Sequence, residues 1–213
     1  MKVLKFGGTS VANSKSLSSV LKIIQKQKGS IAVVVSALGG ITDLLLKMLS
    51  LAQSGKDQYK DNLALIEKRH LEIIKNCVPI QNQSAIISFL KKHLNELESR
   101  LDAVHILEEA TPKNNATISS YGEILASNII QEIFRFNNVD SVLKDSRELI
   151  KTISHNGSEV VDLELSQKLI QNFFKTNKSN VVLLPGFISS NASGETTTLG
   201  RGGSDYSAAL IAN

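Results

Sequence analysis

The chain has 213 residues, 42% hydrophobic and 21% charged, which supports one domain with its own core and excludes a disordered or collagen-like polymer. Cys77 is the single cysteine, so no internal disulfide or Cys/His zinc cluster can form; with no apolar run near the ~20 residues of a membrane span and no signal-peptide core, a cytoplasmic protein without a membrane partner is expected. The net charge of +4 comes from scattered basic residues, a pattern that reads as a solvated surface or a site for a small anion, and no nucleic-acid partner is expected.

The first predicted element is a short buried strand, KVLKF (2–6), running into glycines. Leu17, Val20, Leu21 and Ile24 then recur at helical spacing within 14–28. IAVVVSA (31–37) is an unbroken β-branched run, the signature of a strand covered on both faces in a parallel sheet. From about Asp57 to Leu107 no strand candidate occurs. One helix there carries Leu63, Ile66, Ile73 and Ile74, and Val78–Pro79 breaks it. A second carries Ile87, Leu90, Leu94, Leu97, Leu101 and Val104 in alternating three- and four-residue steps. We read the pair as a helical hairpin inserted into an α/β domain. Its seam packs on the domain itself or forms a dimer contact; the first is favoured, because a hairpin buries its own apolar face first. Further strands are expected in VDSVLKD (139–145) and VVLLP (181–185), the latter after a helix in DLELSQKLIQNFF (162–174). SHNGSE (154–159) signals a small hairpin through Asn156–Gly157, and SSNASGETTT (189–198) a turn between two extended arms. The alternation predicts a three-layer α/β/α sandwich over residues 1–213, with the helical insertion at about 57–107.

The polar candidates cluster at strand ends. In KFGGTS, Lys5 is followed by Gly7, Gly8, Thr9 and Ser10. Glycines admit close approach of a ligand to backbone N–H groups, so this stretch is an anion loop or a tight turn capped by Ser10 or Asn13. It is neither a Walker A loop nor G-x-G-x-x-G. SALGGITD (36–43) repeats the arrangement, and Thr42 is a helix cap or a ligand-facing hydroxyl. Glu123, three residues after Ser120, closes a capping box or receives an ammonium group. In LGRGGSD (199–205), Ser204 and Asp205 suit a helix start, but capping leaves Arg201 unexplained; an arginine among glycines suits bidentate capture of a carboxylate or phosphate. His70, His93, His105 and His155 lie away from the glycine clusters and read as packing or surface residues, and Cys77 as a small buried apolar residue.

KFGGTSV, VVVSALGGIT, YGEILAS, GFI and TTTLGRGGSDYSAAL occur in the order found in aspartate kinases, and over nearly the whole chain the sequence resembles that family within the amino-acid kinase fold. The insertion resembles that of bifunctional aspartokinase–homoserine dehydrogenases. The resemblance implies ATP- and Mg²⁺-dependent phosphorylation of the β-carboxylate of L-aspartate to 4-phospho-L-aspartate, the first step toward lysine, threonine and methionine. It implies that Lys5 is catalytic and oriented by Asp205. Gly7, Gly8, Thr9 and Ser10 would form the phosphate loop, and Thr42, Glu123, Phe187, Arg201 and Ser204 the aspartate site. No side chain is assigned to a metal. Ile124 departs from the Arg or Lys common in relatives, with little expected effect because it points elsewhere on the helix. The resemblance further implies that the nucleotide-binding segments follow Asn213, that this chain alone is inactive, and that the full-length protein is a homo-oligomer. A kinase of glutamate and a non-catalytic amino-acid-binding module are the alternatives.

Overall fold

The computed structural model describes residues 1–213 other than Asn156. The chain opens with β1 (Lys2–Phe6), a 3-10 turn (Gly8–Val11), α1 (Ser14–Gln25) and β2 (Ile31–Val35). Four helices follow: α2 (Ile41–Gln53), α3 (Tyr59–Cys77), α4 (Gln83–Leu107) and α5 (Pro112–Phe136). The remainder is β3 (Ser141–Leu143), β4 (Lys151–His155), β5 (Ser158–Val161), α6 (Leu163–Thr176), β6 (Val181–Pro185), β7 (Ile188–Asn191), β8 (Thr196–Thr198) and α7 (Gly203–Ala212).

The main sheet is parallel throughout, in the order β1-β2-β6-β3. Every residue of β2 and β6 is buried. Strand alternation sends Ile31, Val33 and Val35 into the apolar cluster shared with α1 to α5. Ala32 and Val34 point the other way, to Ile170 of α6 and Ile211 of α7. Burial on both faces is the reason these strands lack polar alternation. The result is the expected three-layer α/β/α sandwich.

The insertion extends the first helical layer. Leu90, Leu94, Leu97, Leu101 and Val104 of α4 are buried, and α4 packs on α2, α3 and α5. The apolar seam is therefore covered within the chain. At its first turn the inward residue is Ile86, with Ile87 partly buried beside it, one position from the expected register. Tyr59 starts the hairpin, fully buried, with its hydroxyl donating to Asp102. His70 is buried as well, bonded through Nδ1 to the Ile66 carbonyl at 2.7 Å; burial pushes its pKa down to about 4. Cys77 is only partly buried, less enclosed than expected.

A second sheet, β5-β4-β7-β8, was not foreseen as one unit. The strands flanking the expected Asn-Gly turn do pair antiparallel, His155 opposite Ser158, although Asn156 itself lies outside the described residues. β7 and β8 are the two arms expected at 189–198. A parallel contact between β4 and β7 joins the two hairpins. No helix among the described residues is long and apolar enough to cross a membrane.

Candidate active site

β1 and β2 end side by side, with Phe6 paired to Val35. Beyond them the two glycine loops meet backbone to backbone. The Gly39 N–H donates to the Gly8 carbonyl at 2.9 Å, and a Cβ on Gly8 would lie 3.0 Å from the Ala37 carbonyl oxygen. Just past β6, the Gly186 N–H donates to the Val35 carbonyl at 2.8 Å. A Cβ there would sit 2.7 Å from the Ser204 side chain, so only glycine lets α7 dock this closely. Phe187 follows with φ of 67°, a left-handed conformation that is costly for an aromatic residue. Its N–H donates to Ser207 Oγ at 3.0 Å, and its carbonyl accepts from Leu199 N–H at 2.8 Å, which holds the strained residue in place.

These strand ends, with the N-termini of α2 and α7, frame a cavity of about 350 Å³. Lys5, Gly8, Thr42, Glu123, Phe187, Arg201, Ser204 and Asp205 all line it. Gly7, Thr9 and Ser10 do not. Gly7 instead backs Lys5, where a Cβ would lie 3.5 Å from Nζ, and Thr9 and Ser10 sit in the 3-10 turn that follows. Ser36, Ala37, Gly39 and Asp43 also line the cavity. They lie within SALGGITD, but nothing in their residue types singles them out before the fold brings the strand end against α5.

The site is electrostatically divided. Lys5 Nζ and Asp205 Oδ1 are 2.8 Å apart. The first turns of α2 and α7, capped by Gly40 and Gly202 with positive φ and no side-chain cap, add partial positive charge. Arg201 is exposed between Gly200 and Gly202. Opposite in character is Glu123, only 3% exposed. One carboxylate oxygen accepts the Ala37 N–H at 3.1 Å, and the other, Oε2, has no hydrogen-bond partner among the described residues. Burial dominates and pushes its pKa up to about 7, against the opposing pull of the Ala37 bond. A cation entering the cavity would satisfy that oxygen and favour the charged form.

Three capping assignments fail. α5 begins at Pro112, with Thr111 accepting the Asn114 N–H at 3.1 Å. Ser120 and Glu123 are therefore mid-helix and form no capping box; the Ser120 hydroxyl donates instead to the Thr117 carbonyl. Gly40 rather than Thr42 caps α2. Gly202 rather than Ser204 caps α7, which leaves the Ser204 hydroxyl to accept from Ser36 Oγ at 2.9 Å. At the first glycine loop Asn13 does cap α1, accepting the Ser16 N–H. Ile124 lines a separate cavity with Phe89 and Arg147, away from Glu123's side of the helix.

The walls fit the phosphate end of a nucleotide: a lysine, two helix N-termini and glycines at close backbone approach. Among the described residues no group of three His, Cys, Asp or Glu side chains could hold a metal ion. Asp43 and Asp205 are the exposed carboxylates of the cavity wall.

The model of the amino acid kinase family matches residues 1–213. The chain is 35% identical, over 218 residues, to a bifunctional aspartokinase/homoserine dehydrogenase of Buchnera aphidicola, covering 100% of this chain and 26% of that protein. It is 35% identical to an aspartokinase of Chlamydia muridarum, covering 98% of this chain and 44% of that one. Among solved structures, E. coli aspartokinase III in complex with aspartate and ADP superposes with a TM-score of 0.87 at 29% identity, covering 100% of this chain and 46% of that one. The chain thus spans less than half the length of these relatives.

Proposed function

This chain belongs to the amino acid kinase family, and from that premise we propose that it carries the amino-acid side of an aspartate kinase site. The reaction is transfer of the γ-phosphoryl group of ATP to the β-carboxylate of L-aspartate, giving 4-phospho-L-aspartate and ADP. The observation that carries this reading is a buried glutamate with an unpartnered oxygen, Glu123, in one cavity with Arg201 and the Lys5–Asp205 pair. A free amino acid needs a carboxylate for its ammonium and a cation for its α-carboxylate, and Glu123 and Arg201 supply them. Thr42, Ser204 and Phe187 complete the amino-acid pocket. Lys5, oriented by Asp205, faces the transferring phosphoryl group, and Gly8, the member of the first glycine loop that lines the cavity, lets the phosphates approach the backbone.

The chemistry needs little more than placement. A β-carboxylate has a reference pKa of ~3.9 and is already a nucleophile at neutral pH, so no general base is required. One carboxylate oxygen bonds to phosphorus as the bond from phosphorus to the ADP oxygen breaks, and no proton moves. Lys5 and the helix N-termini stabilise the charge spread over the phosphoryl oxygens. Asp43 and Asp205, the exposed carboxylates of the wall, would face a Mg²⁺ ion carried in by the phosphates, which would supply further positive charge there.

We assign residues 1–213 to the amino-acid-binding part of the kinase domain of a cytoplasmic homo-oligomer, at the first step toward lysine, threonine and methionine. A coupled assay for ADP on the full-length protein tests the reaction: L-aspartate supports turnover with Mg-ATP and L-glutamate does not. Turnover with glutamate instead would replace the substrate, and turnover with neither would leave a binding module.

A further inference from the structure

We infer that Arg69, on the inserted helix α3, is a positioning residue for this site. The inference rests on the amino-acid-site reading of the cavity given above. Arg69 Nη2 donates to the Gly39 carbonyl at 2.8 Å. Nη1 stands 3.9 Å from where a Cβ on Gly40 would be. Arg69 is not among the cavity walls; it borders a separate space with Asn13, Glu72 and Asn76, and so grips the turn from outside.

What it grips is a junction. The Gly39 N–H is bonded to the Gly8 carbonyl of the first glycine loop, so the insertion and that loop hold the same short turn from its two polar groups. Two residues before Gly39, the Ala37 N–H bonds Glu123. Beyond it, Gly40 takes φ of 78° and caps α2 without a side-chain cap. Thr42 and Asp43, on the first turn of α2, enter the cavity wall. Glycine adopts this conformation freely, but it also leaves it freely, because no Cβ restricts the alternatives. A guanidinium bonded to a carbonyl is a charge-assisted contact, stronger than a neutral one. The Gly39 carbonyl is therefore where the helical insertion fixes the placement of Thr42 and of Glu123's backbone partner. On this account the insertion supports the site as well as enlarging the helical layer.

The test compares Arg69→Met and Arg69→Lys with the wild type in the full-length protein, by amide hydrogen exchange over residues 36–44 and by aspartate titration. We expect faster exchange in that segment for Arg69→Met. Its aspartate affinity falls about tenfold, the loss of one charge-assisted bond, with kcat changed far less than KM. Arg69→Lys, which keeps a cationic donor, recovers most of both. Unchanged exchange in Arg69→Met overturns the inference, and so does faster exchange with unchanged aspartate affinity. Should Arg69→Met not fold, Arg69→Gln carries the same comparison. If the wild type fails to bind aspartate, the amino-acid-site reading falls, while the exchange result still decides whether Arg69 holds the turn.

Discussion

Glu123 meets two opposed demands. Its folded pKa of about 7 lies above the ordinary 4.5, so between those values the folded state holds a proton that the unfolded state has lost. The associated stability is fully present below pH 4.5 and is lost as pH rises through about 7. Glu123→Gln removes that loss. At pH 8 we expect the variant to melt higher than wild type by roughly 5–10 °C, for a penalty on the order of 2–3 kcal/mol. The gap closes as pH falls toward 4.5. Calorimetric melting of both proteins from pH 4.5 to 8 measures it, and a Tm difference independent of pH would count against a buried, unpaired carboxyl. The same variant should lose aspartate binding, so stability and function pull apart at one residue. Arg201 and Lys5 separate differently. Arg201→Ala should raise the aspartate KM roughly ten- to a hundredfold, the loss of a charge-assisted bond worth ~1.5–3 kcal/mol. Lys5→Ala should lower kcat far more than it weakens aspartate binding, because its partner charge develops in the transition state. Steady-state kinetics at varied aspartate tells the two apart. Arg201 stood out in the sequence because helix capping left it unexplained, whereas Lys5 and Glu123 were singled out through the family resemblance, the Ser120–Glu123 spacing by itself fitting a capping box equally well. The strained φ of Phe187 could not be read there, since it follows from how α7 closes on the end of β6.

The elements reach the site through close approach. A Cβ on Gly122 would lie 2.7 Å from the Ala37 Cβ and 3.4 Å from Leu45 Cδ1, so this one residue lets α5 lie against the end of β2. Gly122→Ala should destabilise by about 1–3 kcal/mol through overpacking and should weaken aspartate binding, because displacing α5 carries Glu123 with it. Denaturant unfolding and ligand titration of the variant check both; loss of stability without loss of binding would mean Glu123 is held by other contacts. β2 and β6 were readable because burial on both faces leaves an unbroken apolar run, whereas β1 and β3 are only partly buried and showed as short apolar stretches. The second sheet was not, since β4 and β7 pair across a helix and two other strands, and no local pattern encodes that contact. The start of α5 was misread for a related reason. The Ser120-x-x-Glu123 spacing fits a cap, but Thr111–Pro112 begins the helix two turns earlier, and a mid-helix Ser and Glu then serve the site.

For the molecule as a whole, β1 is the telling strand. It carries Lys5, stands at the edge of the main sheet, and is less buried than β2 or β6. Its outer side carries backbone groups that no strand among the described residues pairs. The 213-residue chain alone is therefore expected to release no ADP above background in a coupled assay with Mg-ATP and aspartate. Turnover near the ~10 s⁻¹ typical of enzymes would mean the nucleotide site is already complete. The central claim, that the cavity is an aspartate site organised around a buried Glu123 whose pKa burial pushes up to about 7, is tested most directly by isothermal titration of L-aspartate into the full-length protein at pH 7, in two buffers of different ionisation enthalpy. The account predicts saturable binding, tighter than for L-glutamate, with an enthalpy that differs between the buffers because the ammonium group drives a proton off Glu123. Absence of saturable heat, glutamate binding as tight as aspartate, or an enthalpy identical in both buffers would contradict it.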